Sequence, residues 1–154
     1  MSTAVSSDRR TLNVRLLTPV GPVFDGPAVM VVAPSIMGEI GLLPRHAPLI
    51  AHLKVGETRV TQLDDTKQVF ATSEGYLSIE DDQVLIMVSH AEEVGTIDRA
   101  RAEESLERAD ATLAAAGEDE VLINAAQARK QRAENRLKVL DLSLIHISEP
   151  TRPY

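Results

Sequence analysis

The side chains able to do chemistry are few in this sequence, and their spacing limits what they can do. There are four histidines and no cysteine, which excludes disulfides, thiolate metal sites and thiol nucleophiles. His46, His52 and His90 are not spaced as a ligand pair one helical turn apart, so a zinc site would have to be assembled by folding alone. Neither a Walker-type phosphate loop nor a G-x-S-x-G nucleophile elbow is present. The acidic run Glu80-Asp81-Asp82 lacks the alternating oxygen ligands of an EF-hand and reads as a hairpin turn. The expectation is a chain with no catalytic residue and no metal.

Two constellations remain. The first is Gly38-Glu39-Ile40-Gly41-Leu42-Leu43-Pro44-Arg45-His46-Ala47-Pro48-Leu49-Ile50, a glycine-flexed strand leading into a proline-bracketed loop. Pro44 and Pro48 restrict the backbone on either side of Arg45 and His46, which presents those side chains on a stiff loop suited to a partner surface. The second is Ile97-Asp98-Arg99-Ala100-Arg101-Ala102, with Arg129, Lys130, Arg132, Arg136 and Lys138 further along. Guanidinium groups pair with phosphate and a carboxylate can hold a ribose or adenine donor. Equally, Asp98 is an ordinary helix N-cap, and arginines at helical spacing are commonly solvated surface.

The elements that must position these residues fall into two blocks. Short β-rich runs at 12–17, 28–33, 49–55, 58–63, 68–72, 76–79 and 84–88 are separated by Gly, Pro and Asp turns with no amphipathic helix between them. That pattern predicts an antiparallel β-sandwich over 11–95. After Gly95 the composition turns to Ala, Glu, Arg and Leu without proline, predicting helices over 98–116 and 119–140. Ala116-Gly117-Glu118-Asp119 reads as a cap and turn, so the helices should form an antiparallel hairpin over 96–141. Ala102, Leu106, Ala109, Leu113 and Ala116 form one seam, and Leu122, Ala126, Ala133, Leu137 and Leu140 the other. An alanine seam holds weakly, since each buried CH₂ contributes only about 0.8 kcal/mol. The fold class expected is α+β, a β-sandwich followed by a two-helix hairpin.

The ends follow neither pattern. Residues 1–10 are polar and are expected to be a disordered extension with no signal-peptide core. Residues 142–154 resemble the in-frame translation of a transposase adapter used in sequencing libraries, so 142–154 is expected to be an artefact tail whose His146 and Tyr154 carry no function. A net charge of −7 over 154 residues argues against nucleic acid as a partner, and no apolar run is long enough for a membrane span.

The 38–50 stretch, with Gly75-Tyr76-Leu77-Ser78-Ile79, resembles the epsilon subunit family of F-type ATP synthases, whose signature is G-E-L-G followed by P-x-H-A-P-L and a later G-x-L-x-I strand. The likeness runs from about residue 12 to 140. It implies a non-catalytic rotor subunit of the central stalk, peripheral to the membrane, coupling the gamma subunit to the c-ring. By the same resemblance the end of the sandwich bearing the 38–50 stretch faces the c-ring, which places Glu39 and His46 at that contact, and Glu39, Arg45 and His46 are together the c-ring and gamma interface candidates. Residues 97–102 match the I-D-x-x-R-A pattern that binds ATP in some bacterial members, which makes Glu92, Asp98, Arg101, Ala102, Arg132 and Arg136 candidates for regulatory ATP, with no cofactor required. The basic second helix is a candidate contact for the acidic segment of the catalytic beta subunits, where such helices inhibit hydrolysis, or else a mixed-charge solvated face. The family often has glycine where Arg45 stands and a Gly-Gly pair at Glu74-Gly75, and shorter members lack the extension before Thr11. The cytoplasmic face of a bacterial membrane is the expected location. The alternative is a free-standing β-sandwich interaction module whose helical hairpin self-associates.

Overall fold

The computed structural model describes residues 9–148, with side chains to residue 143. The chain divides after Glu93 into two compact units. The first is all β: β1 Leu12–Thr18, β2 Gly21–Ala28, β3 Met30–Ser35, β4 Gly38–Leu42, β5 Leu49–Leu53, β6 Gly56–Thr61, β7 Lys67–Thr72, β8 Gly75–Glu80, β9 Gln83–Val88 and β10 Ala91–Glu93. They join in the order β10-β7-β6-β3-β5-β8-β9-β1-β2, with β4 paired to β3.

The sheet folds over on itself. Phe24 of β2, at one end of that order, meets Phe70 of β7, near the other, edge to face with ring centroids 6.3 Å apart. The alternation written into the strands does the enclosing. In β1, Leu12, Val14 and Leu16 point in while Asn13 and Arg15 point out, and β8 and β9 bury Leu77, Ile79, Val84, Ile86 and Val88 in the same core. Two buried hydroxyls pair with each other, Thr58 Oγ1 lying 2.9 Å from Thr72 Oγ1.

Three expectations change. The strands are not all antiparallel, because β1 runs parallel to β9; residues 19–82 intervene between them, enough chain for a crossover. Strand β2 was not expected, since Gly21, Pro22, Gly26 and Pro27 read as breakers, but it is an end strand where a missing N–H costs no ladder bond. Arg9 and Arg10, expected to belong to a disordered extension, are held against the β unit, and residues 1–8 of that expectation lie outside the described residues. Arg9 donates to Leu63 O and Asp65 Oδ1, both at 3.1 Å, and Arg10 Nε lies 3.3 Å from Asp82 Oδ2.

The second unit is a 3-10 turn, Val94–Thr96, followed by α1 Arg99–Ala115 and α2 Glu120–Ser148. Asp98 caps α1, its Oδ1 accepting from Ala100 N at 3.0 Å and Arg101 N at 3.3 Å. Gly117, at φ +59°, turns the chain, and Asp119 Oδ1 accepts from Leu122 N at 3.2 Å to start α2. The helices pack through the small residues of the seam: Ala102, Ala109 and Ala116 are buried from one side and Ala126 and Ala133 from the other. Lys130 Nζ to Asp110 Oδ1 at 2.9 Å and Arg99 to Asp141 Oδ1 at 2.6 Å join them. The expected boundary at 141 does not hold. Helix α2 runs through 142–148 because the first helix breaker there is Pro150; Tyr154 and the side chain of His146 lie outside the described residues. No helix among the described residues is long and apolar enough to cross a membrane.

Candidate functional site

In the β unit the register fixes two ends. At one end are the turns after β1 and β3, the connection between β5 and β6, and the start of β8. At the other are the 43–48 loop, the β6–β7 turn and the β8–β9 turn. Glu39 pairs with Pro34 next to the β3–β4 turn, whereas Arg45 and His46 follow the far end of β4. A surface using all three would therefore run along that strand.

The first end is built to display apolar side chains. Thr18 Oγ1 donates to Gly21 O at 3.0 Å and accepts from Val20 N at 3.2 Å. Ser35 Oγ does the same in the next turn, donating to Gly38 O at 2.5 Å and accepting from Met37 N at 3.1 Å. Each hydroxyl holds a tight turn, and the turns carry Val20, 97% exposed, and Met37, 91% exposed, with Ile36 beside the latter. Glu39 is held close by: its Oε1 lies 3.1 Å from an Arg59 nitrogen, and Arg59 also pairs with Glu57 at 3.1 Å.

At the other end Arg45 adopts φ +70°, the left-handed region that favours glycine. Its N–H donates to Asp82 Oδ1 at 2.6 Å. His46 N donates to Leu43 O at 3.1 Å, and His46 Nδ1 lies 2.7 Å from Ala47 O. A carbonyl can only accept, so the neutral ring carries its proton on Nδ1 and keeps Nε2 as an acceptor.

Between the ends lies an exposed sheet face that sequence reading did not assign. The register aligns Leu17, Met87, Tyr76 and His52 across β1, β9, β8 and β5, with Arg15, Leu85, Ser78 and Ile50 in the next outward row. His52 and Tyr76 stack, ring centroids 5.0 Å apart at 16°. Ile50, Tyr76 and Met87 are all at least half exposed. The signal was available, because Leu77 and Ile79 must point inward if the strand alternates, which turns Tyr76 outward.

The candidates for nucleotide contact divide between the units. Glu92 lies in β10, opposite Ala71. In the helical unit Asp98 is engaged as the N-cap, Arg101 is exposed and Ala102 is fully buried in the seam. Arg132 and Arg136 are half-buried on α2, with Arg129 one turn away. Burial first, and then the charges of Arg129 and Arg136, lower the pKa of Arg132 from its ordinary value.

Residues 11–94 match the β-sandwich domain of the ATP synthase delta/epsilon chain. The chain is similar to the ATP synthase epsilon chain of Halalkalibacterium halodurans, 39% identical over 84% of this chain and 96% of that one. It is 40% identical to that of Alkalihalophilus pseudofirmus over the same shares. Among solved structures it is similar to a chain of the Euglena gracilis mitochondrial ATP synthase complex of OSCP, F1 and c-ring, with a TM-score of 0.62 at 19% identity over 89% of this chain and 81% of that one. At that identity the likeness is one of fold.

Proposed function

The chain belongs to the ATP synthase delta/epsilon chain family, and we propose that it is a central-stalk subunit whose β unit fastens the gamma subunit to the c-ring without performing catalysis. The observation that carries this reading is that one small unit exposes apolar side chains both on the turns at one end and across the adjoining sheet face. A subunit that couples two partners needs two surfaces, and contiguous apolar exposure marks such sites.

The turn end, with Val20, Ile36, Met37 and the Arg59-held Glu39, is the surface we assign to the c-ring. The sheet face of Ile50, Tyr76 and Met87, continuing to the Arg45–His46 loop, is assigned to gamma. An aromatic residue at the centre of an interface carries a large share of its affinity, so Tyr76 is the expected anchor. The subunit sits peripherally on the cytoplasmic face of a bacterial membrane, held there by its partners; the bacterial relatives support that location.

The test is co-purification of the chain with its cognate gamma subunit, followed by ATP hydrolysis by the reconstituted complex. Tyr76→Ala should weaken gamma binding on the order of tenfold or more, whereas Met37→Glu should spare gamma and reduce c-ring retention. Retention of gamma at full affinity by Tyr76→Ala would sink the assignment.

For the helical unit the finer proposal is regulatory. Helix α2 meets the acidic segment of the beta subunits through its basic residues and restrains hydrolysis, with ATP as a regulatory ligand at Arg132 and Arg136. The support is the placement of Arg132 near the charges of Arg129 and Arg136, since guanidinium groups pair with phosphate. Calorimetric titration with ATP should give saturable binding that Arg132→Ala abolishes.

A further inference from the structure

Where the resemblance has glycine, this chain has Arg45, and the backbone still takes the left-handed conformation at φ +70°. A non-glycine residue there needs something to hold it. The structure supplies the Asp82 carboxylate. Asp82 lies in the β8–β9 turn, where Asp81 and Asp82 both adopt positive φ, +50° and +61°, as a tight hairpin of this twist requires. From that turn the Asp82 carboxylate reaches 37 residues back along the chain.

Its Oδ1 accepts from Arg45 N at 2.6 Å, a charge-assisted bond to the main chain rather than to a swinging side chain. Its Oδ2 accepts from Arg10 Nε at 3.3 Å, and its own carbonyl accepts from Asn13 N at 2.8 Å. One residue thus ties the start of β1, the segment before it and the 43–48 loop together. The Asp82 side chain is 20% exposed, which limits competition from water.

We propose that Asp82 is a positioning residue for partner binding: by clamping the Arg45 N–H it fixes the conformation in which the loop presents Arg45 and His46 to the gamma subunit. The inference rests on the reading of that loop as part of the gamma surface. A loop already fixed in its bound conformation binds more tightly, because less ordering remains to be done on association.

The variants are Asp82→Gly, which removes the carboxylate but keeps the ease of positive φ, and Asp82→Asn, which keeps an acceptor oxygen for Arg45 N. Amide hydrogen exchange of the full chain reads the clamp, and affinity for the cognate gamma subunit reads its consequence. In Asp82→Gly the Arg45 amide should exchange about tenfold to a hundredfold faster, as expected for losing a bond to a charged group. Core amides such as Ile86 should be unchanged and gamma affinity should fall. Asp82→Asn should restore much of both, and Arg10→Ala should leave the Arg45 amide protected.

An unchanged Arg45 exchange rate in Asp82→Gly would overturn the inference. So would equal acceleration at Ile86, which would mean Asp82 serves only global stability. If Asp82→Gly exposes the Arg45 amide but His46→Ala and Asp82→Gly both bind gamma at full affinity, the clamp is real and the assignment of the loop to gamma is overturned.

Discussion

Gly75 opens β8 where it is paired with both Leu53 and Val88, and replacing it with alanine is the sharpest single test of the sheet as described. A Cβ built there would overlap the Met87 carbonyl oxygen and stand 2.8 Å from Val88 Cα and 2.9 Å from the Met87 carbonyl carbon. All three atoms are main chain of β9, so no side chain can swing aside and the strand itself must move. Alanine offers an offset by restricting the unfolded chain, about 0.4–1 kcal/mol. Overpacking a fixed contact costs about 1–3 kcal/mol and here should reach the upper end.

The net expectation for Gly75→Ala is a loss of about 2 kcal/mol, or a melting temperature lower by about 4–8 °C for each kcal/mol in a unit of this size. Gly41→Ala is the matched control, since its Cβ would meet only the flexible end of Met30, at 3.4 Å. It should be neutral or slightly stabilising. Thermal unfolding followed by circular dichroism measures both. Movement of β9 also displaces Met87 and its neighbour Tyr76, so Gly75→Ala should weaken gamma binding while Gly41→Ala does not. Melting of Gly75→Ala at or above the parent temperature would refute the close approach on which this rests.

Asp98→Ala removes the acceptor of two helix N–H groups and should destabilise the helical unit by about 0.5–2 kcal/mol, read from its thermal transition. Ala133→Leu places a large side chain at a position 1% exposed in the hairpin seam and should cost about 1–3 kcal/mol, while the solvent-facing change Ala128→Leu should cost little in the same melt. Lys130 has its pKa raised above its ordinary value, first by its hydrogen bond to Asp110 and then by that carboxylate's charge. The stabilisation is therefore fully present below the unfolded value and is lost as pH rises through the folded one. The hairpin should loosen as pH rises beyond the ordinary lysine range, in a step that Lys130→Arg moves to higher pH, followed by exchange or helical circular dichroism.

Patterning along the chain was enough to establish two blocks, a β-rich one and a helical one, because strand and helix periods differ and are local properties. It also located the Asp98 cap, the Gly117 turn and the alanine seam, each of which depends on residues within a few positions of one another. The proline-bracketed loop was legible for the same reason. What adjacency in sequence cannot carry is register. The parallel pairing of β1 with β9 and the edge position that admits Pro22 and Pro27 in β2 follow from which strands become neighbours. So do the row of Leu17, Met87, Tyr76 and His52 and the reach of Asp82 to Arg45. Strand pairing joins residues tens of positions apart through main-chain bonds that are nearly blind to residue type. Only the folded sheet therefore decided that Glu39 and His46 lie toward different ends of the unit, and that the aspartate read as one of a turn's acidic residues holds the loop's conformation.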